Sequence, residues 1–198
     1  MADITAALVK ELRDKSGAGM MDCKTALVEA AGDIEKASEI LRKKGIAKAT
    51  KKADRAANEG RIEAYIHPGS KLGVLLEVNC ETDFVANTDD YKTFCRDIAM
   101  QVAASSPKYV RREDVEQAVL DREMEIYKEQ AKNQGKPENI LEKIATGKLE
   151  KFYSEICLLE QPFVKDPDKT INTLLTETIA KLGENITINR FSRFKVGE

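Results

Sequence analysis

The sequence predicts an α+β protein in which a small three-helix domain precedes a core of antiparallel strands covered by helices. Three observations predict this class. Three short segments with helical spacing open the chain, the apolar period changes to two from Gly60, and helical segments separate this strand pair from one last strand. We therefore expect two domains, residues 1–55 and residues 56–198, the first of which includes a basic linker.

The composition is that of a folded protein without a charge bias. The 198 residues are 42% hydrophobic and 33% charged, which is enough for one medium domain or two small ones. The 32 basic and 34 acidic residues nearly cancel, which argues against a generic nucleic-acid binder. No apolar stretch approaches the ~20 residues of a membrane span. Four scattered cysteines favour reduced thiols and a cytoplasmic location.

The three N-terminal helices are delimited by cap and stop residues. Apolar residues recur at helical spacing from Ile4 to Leu12, and Ser16-Gly17 ends that helix. Asp22 can cap the second helix, which Gly32 can end. Asp33 can then cap the third helix, which Gly45 can end. Helices this short must bury their apolar faces against one another.

Residues 42–55 are strongly basic, with seven Lys and Arg side chains against a single acid, Asp54. A solvated linker or helix face explains this composition. A basic arm that binds a phosphate-bearing or acidic partner is the alternative explanation. Composition alone does not decide between a linker and such an arm.

The strands follow from alternation of apolar residues. In the first strand Ile62, Ala64 and Ile66 share a face, which we expect to be buried, and "PGSK" forms the turn to the second strand. There the shared face carries Leu72, Val74, Leu76 and Val78. In the last strand, "NITINRFSRFKV", the alternation slips near Arg190 and predicts a bulge or a two-sided contact.

Helices fill the sequence between the strands. Phe94, Ile98 and Val102 predict one that ends before Pro107. Residues 112–160 carry two charged segments with narrow apolar seams, which predict a protruding or edge-packed helical pair. The segment "DKTINTLLTETIAKLG" predicts a final helix that is closed by Gly183.

No residue pattern in the chain indicates catalysis. The single histidine, His67, follows a strand beside a turn, and no phosphate-cradling or nucleophile motif is present. The acidic group around Asp83 lacks the spacing and glycine of a calcium loop. We therefore predict no catalytic residue, no metal and no cofactor.

Two apolar pairs in loops have no evident core to join. Met20-Met21 lie between the first two helices, and Phe84-Val85 lie in "NCETDFVANT" between the hairpin and the next helix. A loop phenylalanine either folds back onto the core, which is worth roughly 1.5–3 kcal/mol, or projects as an anchor that another protein buries. Spacing alone leaves both readings open.

Two long motifs resemble a known family. "LRDKSGAGMMDCKTAL" (residues 12–27) and "LEVNCETDFVANT" (residues 76–88) are similar to bacterial elongation factor Ts, the guanine-nucleotide exchange factor of elongation factor Tu. The likeness continues through "GDIEKASEILRKKG" and "GENITINRF" and covers essentially the whole chain. The chain resembles a short form with one sheet core, whereas longer relatives use two. This difference points to a homodimer and a 2:2 complex.

The resemblance implies the site residues. It implies an N-terminal domain similar to a ubiquitin-associated domain that docks on the GTPase, and a loop that disturbs the magnesium and phosphate site of bound GDP. By motif, the loop is Thr82, Asp83, Phe84 and Val85, and the N-terminal contacts are Arg13, Met20, Met21, Lys24 and, in the basic segment, Lys52. The implied partner is elongation factor Tu, with no direct nucleic-acid or membrane contact.

Three other readings compete with this one. The three-helix domain could be a module that binds ubiquitin-like proteins or peptides through Met20-Met21. The Arg42 to Arg55 arm could bind nucleic acid, which predicts a steep fall of affinity with salt. An enzyme using Cys80 beside Glu81 is disfavoured, because acidic neighbours raise the pKa of a thiol. Asp83 could also serve only as a cap for the helix or turn that follows it.

Overall fold

A computed structural model describes residues 4–198, and it confirms the predicted α+β class. The helices within those residues are α1 (Ala6–Ser16), α2 (Met20–Glu29), α3 (Ile34–Thr50), α4 (Asp83–Ala86), α5 (Asp89–Ser105), α6 (Gln117–Asn133), α7 (Glu138–Ile156) and α8 (Ile171–Leu182). The strands are β1 (Glu59–Ile66), β2 (Leu72–Cys80), β3 (Pro162–Phe163), β4 (Asp166–Thr170) and β5 (Ile186–Lys195). An antiparallel sheet has the order β1-β2-β5, and β3 pairs with β4 in a separate two-stranded sheet.

The contacts group the chain into two compact units. Unit 1 combines the residues up to Glu63 with Glu77–Arg96 and Thr173–Ile188. Unit 2 combines Ala64–Leu76, Asp97–Asn172 and Asn189–Glu198. The predicted domain boundary between residues 55 and 56 stays a prediction.

In unit 1, the three N-terminal helices enclose a small apolar core, as predicted. Thr5 caps α1 by accepting a hydrogen bond from the Leu8 amide at 3.3 Å, and Gly17 ends α1 in the left-handed conformation with φ of 66°. Asp33 caps α3 through the amides of the two residues that follow Ile34. The buried core consists of Val9, Leu12, Cys23, Ala26, Leu27, Ala30 and Ala37.

Two helix boundaries differ from the prediction. Asp22 does not cap α2, which begins two residues earlier after Gly19; the Asp22 carboxylate instead pairs with Lys48 at 2.9 Å. Gly45 does not end α3, which continues to Thr50. A Cβ at position 45 would lie 3.5 Å from the Ala180 Cβ, an ordinary van der Waals distance, so this glycine is an interior residue of α3 that packs beside α8.

The prediction of the buried face is confirmed for β2 and wrong for β1. Val74, Leu76 and Val78 are buried, but Ile62 and Ile66 are among the most exposed apolar residues of the chain. The inward position is taken by Glu63, whose carboxylate accepts a hydrogen bond from Arg61 Nε at 2.9 Å. Because this pairing offsets the cost of burying a charge, the polar residues of β1 can face inward.

The strand β5 changes its covered face along its length, as its sequence predicts. Ile186 and Ile188, at even positions of the strand, are buried. Further along, the more covered residues are Phe191 and Arg193, which point to the other face of the strand. The more covered side therefore changes near Arg190. Phe194, next to Arg193, is exposed.

Unit 2 contains the predicted pair of charged helices. Of α6 and α7, only Ala131, Ala145 and Ile156 are fully buried, which confirms the narrow contact. At the base of the pair, the Arg112 guanidinium bonds Glu150 and Glu160 and lies 4.4 Å from the centre of the Tyr153 ring. An arginine with bidentate carboxylate partners and a stacked ring fixes its surroundings strongly.

The β3–β4 hairpin was not predicted. It is held by Gln101, a fully buried residue of α5, whose side-chain oxygen accepts a hydrogen bond from the Val164 amide at 2.9 Å. The amide nitrogen of Gln101 donates to Pro162 O at 3.2 Å and to Gln161 Oε1 at 3.1 Å. Such short strands leave little alternation to read, and their support comes from a distant polar side chain.

Candidate partner-binding site

A single helical turn, α4, presents Phe84 to solvent. Thr82 caps this turn by accepting a hydrogen bond from the Val85 amide at 3.3 Å. Val85 and Ala86 are buried, whereas Phe84 is 78% exposed. Successive helical residues point about 100° apart, so burying the two residues after Phe84 turns its ring outward. The projecting anchor is therefore the conformation found, and folding back onto the core is excluded.

Hydrogen bonds from side chains to the backbone make this turn rigid. Asn87 Nδ2 donates to Asp83 O at 2.9 Å, and Thr88 Oγ1 donates to Val85 O at 2.8 Å. The cap is Thr82 rather than Asp83, which occupies the first turn of α4 with an exposed side chain. A rigidly held and exposed aromatic ring is a suitable anchor for a partner's pocket.

The segment between α8 and β5 fastens the turn from outside. Glu184 accepts two hydrogen bonds from Thr82: from its amide at 3.0 Å and from its hydroxyl at 2.7 Å. The Asn185 amide donates to Glu81 Oε1 at 2.6 Å. These contacts hold both residues that precede α4.

The same segment also binds the end of the basic stretch. Asn185 Nδ2 donates to Arg55 O at 2.7 Å and to Ala53 O at 3.3 Å, and Lys52 Nζ donates to Gly183 O. Lys44 of α3 pairs with Glu29 of α2 at 2.6 Å. Much of the basic charge thus has partners within the chain, which favours the linker and helix-face reading of residues 42–55.

Beneath the turn lies a buried group of one tyrosine and two thiols. The Tyr91 hydroxyl donates to Val78 O at 2.7 Å, and Cys80 Sγ donates to Thr82 O at 3.1 Å. Burial is the main factor that raises the pKa of Cys80, with a smaller contribution from the Glu184 carboxylate. Burial also raises the pKa of Cys95 to about 12. A nucleophilic thiol needs a lowered pKa, so this floor is structural.

The predicted N-terminal contact residues lie where α1 meets α2. Met20 and Met21 are 54% and 72% exposed, and Arg13 and Lys24 are exposed as well. Gly19 precedes α2 and has no side chain that could cap this helix. Flexible thioether side chains on an exposed helix start are well suited to an irregular protein surface.

The structure joins some of the predicted residues and adds others. Lys52 and Thr82 are held by adjacent residues of one segment, Gly183 and Glu184, whereas Arg13, Met20, Met21 and Lys24 belong to the α1–α2 corner. Glu184 and Asn185, which were not among the predicted site residues, belong to the site as well. Glu184 lies 102 residues from its partner Thr82, and no local pattern reports so distant a pairing.

Residues 4–198 contain no group of three or more His, Cys, Asp and Glu side chains that could hold a metal ion. No helix among them has the length and apolar character needed to cross a membrane.

Comparison with known proteins gives a consistent result. The family model described as Elongation factor TS matches residues 34–198. A protein from Carboxydothermus hydrogenoformans named Elongation factor Ts is 65% identical over 195 residues, which cover 98% of this chain and 90% of that protein. A protein of the same name from Thermoanaerobacter sp. is 64% identical over 98% of this chain and 96% of its own length. Another, from Anaeromyxobacter dehalogenans, is 62% identical over 100% of this chain and 90% of its own length. This chain therefore belongs to the elongation factor Ts family.

Proposed function

We propose that this protein binds elongation factor Tu in its GDP form and accelerates GDP release during translation elongation in the cytoplasm. It makes and breaks no covalent bond, so it is an exchange factor and not an enzyme in the usual sense. Membership of the family supports the partner and the process. The observation that carries the mechanism is the exposed Phe84 ring on a rigid turn.

The Thr82–Val85 turn acts on the nucleotide site of the GTPase. GTPases hold the β-phosphate through backbone amides and a magnesium ion whose coordination depends on accurately placed switch residues. Close-packed elements move when volume is inserted between them, so the Phe84 ring shifts the elements that position these groups. Asp83, exposed beside it, rearranges hydrogen bonds or repels the phosphate-coordinating arrangement.

The N-terminal domain provides affinity rather than the disturbance itself. Residues 1–55 act as a domain similar to a ubiquitin-associated domain, and residues 56–198 act as the core. Arg13, Met20, Met21 and Lys24 dock on the GTPase domain through exposed side chains. Lys52 contacts the partner as well: one of its three N–H donors is bonded to Gly183 O, which holds the linker in place, and the ammonium group keeps further donors for the GTPase.

Thermodynamic linkage constrains how the factor leaves. If the factor weakens GDP binding by a given ratio, GDP weakens binding of the factor by the same ratio. Incoming nucleotide therefore expels the exchange factor, which needs no nucleotide site of its own.

A second copy of the chain supplies the second sheet core that longer family members carry. In unit 2, a groove of about 500 Å³ is lined by Ile66, Leu75, Phe194 and Val196, all of them exposed. Lys71 and Lys195 also line this groove, and Lys195 pairs with Glu198 at 2.9 Å, so charged side chains lie beside the apolar ones. Two such sheet faces can pack on each other about a twofold axis and give a 2:2 complex.

The deciding experiment measures the dissociation of labelled GDP from the cognate elongation factor Tu with and without this chain. Acceleration that rises with the concentration of the chain and saturates is expected. Boiled chain serves as the control for contaminating nucleotide or chelator. An unchanged dissociation rate at saturating concentration would reject the proposed function.

A further inference from the structure

The short segment Gly183–Asn185 is bonded to two separate stretches of unit 1. On one side it holds Thr82 and Glu81, immediately before the Phe84 turn. On the other it holds the carbonyls of Ala53 and Arg55, at the end of the basic stretch. Two consecutive side chains, Glu184 and Asn185, make most of these bonds.

The contact between Glu184 and Thr82 determines the capping geometry of the turn. Thr82 Oγ1 donates its proton to Glu184 Oε1 at 2.7 Å, which directs that proton away from α4. A lone pair of the same oxygen is then free to accept from the Val85 amide at 3.3 Å. The second carboxylate oxygen accepts from the Thr82 amide at 3.0 Å. Glu184 therefore orients the group that caps the Phe84 turn.

Asn185 connects this arrangement to the linker. This residue is only 3% exposed, and its side-chain nitrogen donates to both linker carbonyls. Its backbone amide donates to Glu81, and the Arg55 guanidinium lies 3.5 Å from that same carboxylate. The linker and the turn thus share one set of bonds and are held in one fixed relation.

We propose that Glu184 and Asn185 are positioning residues for nucleotide exchange, which hold the Phe84 turn in its projecting form and fix it to the linker that follows α3. This inference rests on the proposed exchange function. A four-residue turn without an external tether samples several conformations, and each encounter with the GTPase would have to select the projecting one. The tether removes this cost in advance, as preorganised binding elements generally do.

Replacement of Glu184 by alanine and by glutamine separates positioning from simple contact. We expect Glu184→Ala to lower the maximal GDP release rate by roughly tenfold, the effect of losing about one net charge-assisted hydrogen bond. The concentration that gives half of the maximal rate should stay within about twofold, because the docking surface is intact. In Glu184→Gln, the amide oxygen can accept from the Thr82 amide and the NH₂ group can donate to the Thr82 hydroxyl, so most of the rate should return.

Glu39→Ala, which removes an exposed carboxylate from α3, is the matched control and should behave as wild type. Thr82→Val is the second variant, since it removes the hydroxyl that Glu184 orients while preserving the side-chain volume. Its maximal rate should fall in the same direction as that of Glu184→Ala. Hydrogen exchange of the free chain provides an independent measurement, in which the Thr82 and Val85 amides should lose protection in Glu184→Ala and keep most of it in Glu184→Gln.

Each result decides for or against the inference. It is overturned if Glu184→Ala keeps the wild-type maximal rate, if its only defect is a higher half-maximal concentration, or if glutamine is as poor as alanine. Unchanged protection of both amides in Glu184→Ala also overturns it. Should the wild-type chain fail to accelerate release, the proposed function is rejected, and the exchange of these amides alone decides whether Glu184 holds the turn.

Discussion

Two phenylalanines of this protein are exposed in different ways. Phe84 in unit 1 is 78% exposed, and Phe194 in unit 2 is 68% exposed. Phe84 stands alone, since the residues that follow it, Val85 and Ala86, are buried. Phe194 shares its groove with the exposed side chains of Ile66, Leu75 and Val196. The first is a single projecting ring and the second is part of an apolar surface.

The supports of the two phenylalanines differ as well. The Phe84 turn depends on side-chain hydrogen bonds, among them those of Thr82, Asn87 and Glu184. The groove around Phe194 is formed mainly by strands, whose backbone hydrogen bonds hold its side chains in place without such help. An isolated ring held by hydrogen bonds suits insertion into a pocket, whereas a group of exposed apolar side chains suits burial against a matching surface. On these grounds we propose exchange as the task of Phe84 and self-association as the task of the Phe194 surface.

The largest expected effect is that of Phe84→Ala on exchange. We expect the maximal rate of GDP release to fall about 100-fold, which corresponds to about 2.7 kcal/mol and to the loss of an interface hot spot. Stability should change by less than about 0.5 kcal/mol, because the ring is exposed in the free protein. Stopped-flow fluorescence with labelled GDP measures the rate, and binding and circular dichroism confirm a folded and competent variant. Phe194→Ala is the matched comparison: equal loss of rate in both variants would contradict the division of roles.

The next largest effect concerns self-association. Leu75 lies on β2, the central strand, and its side chain is half exposed in the groove. Leu75→Asp should raise the dissociation constant of the dimer about 30-fold, because it buries an unpaired charge worth about 2 kcal/mol or more. Analytical ultracentrifugation over a concentration series measures this constant. Phe84→Ala serves as the control and should dimerise as wild type; a wild-type chain that stays monomeric at high concentration would remove the basis for the proposed interface.

A smaller effect is expected at a third exposed group, the start of α2. Met21→Ala should raise the concentration of half-maximal exchange about fivefold, equivalent to roughly 1 kcal/mol of docking energy, and leave the maximal rate unchanged. Ile46→Ala, another exposed apolar residue of the N-terminal helices, is the control and should have less than about a twofold effect. If Met21→Ala instead lowers the maximal rate, docking and disturbance are not separate tasks of two regions.

The sequence was sufficient for the fold class and for most helices. The helix ends at Gly17 and Gly183 were predicted correctly. Glycine readily adopts the positive φ at which many helices stop, and both residues have a positive φ here. Gly45 misled the prediction, since glycine disfavours a helix interior without forbidding it, and α3 continues through this residue to Thr50. The prediction of the buried face of β1 was wrong because the Arg61–Glu63 pair offsets the cost of burying the Glu63 carboxylate. Alternation reports which residues share a face but not which face is buried.

The candidate site divides in the same way. The motif resemblance identified the Thr82–Val85 loop, yet spacing left open whether Phe84 folds back or projects. That choice depends on the burial of Val85 and Ala86 and on Glu184, whose contact with Thr82 spans 102 residues of the chain. Such a contact follows from the tertiary fold and leaves no periodic signal. Polar residues at strand entrances, such as Asn185, are therefore easily taken for ordinary loop residues.

The smallest functional effect is expected from Tyr91→Phe, which tests whether the floor beneath the turn is only structural. The buried Tyr91 hydroxyl donates to Val78 O at 2.7 Å, and burial, the main cause, raises its pKa, so it remains a donor at any working pH. Losing this bond should lower the free energy of unfolding by about 1 kcal/mol and the melting temperature by about 3 °C. The maximal exchange rate should stay within about twofold, because the groups that orient Phe84 are bonded to Thr82 and not to Tyr91. Chemical denaturation and stopped-flow kinetics measure the two quantities, with Tyr127→Phe as a control at a less buried tyrosine. If Tyr91→Phe instead lowers the exchange rate strongly at unchanged stability, the buried group beneath the turn, and not Glu184, orients Phe84.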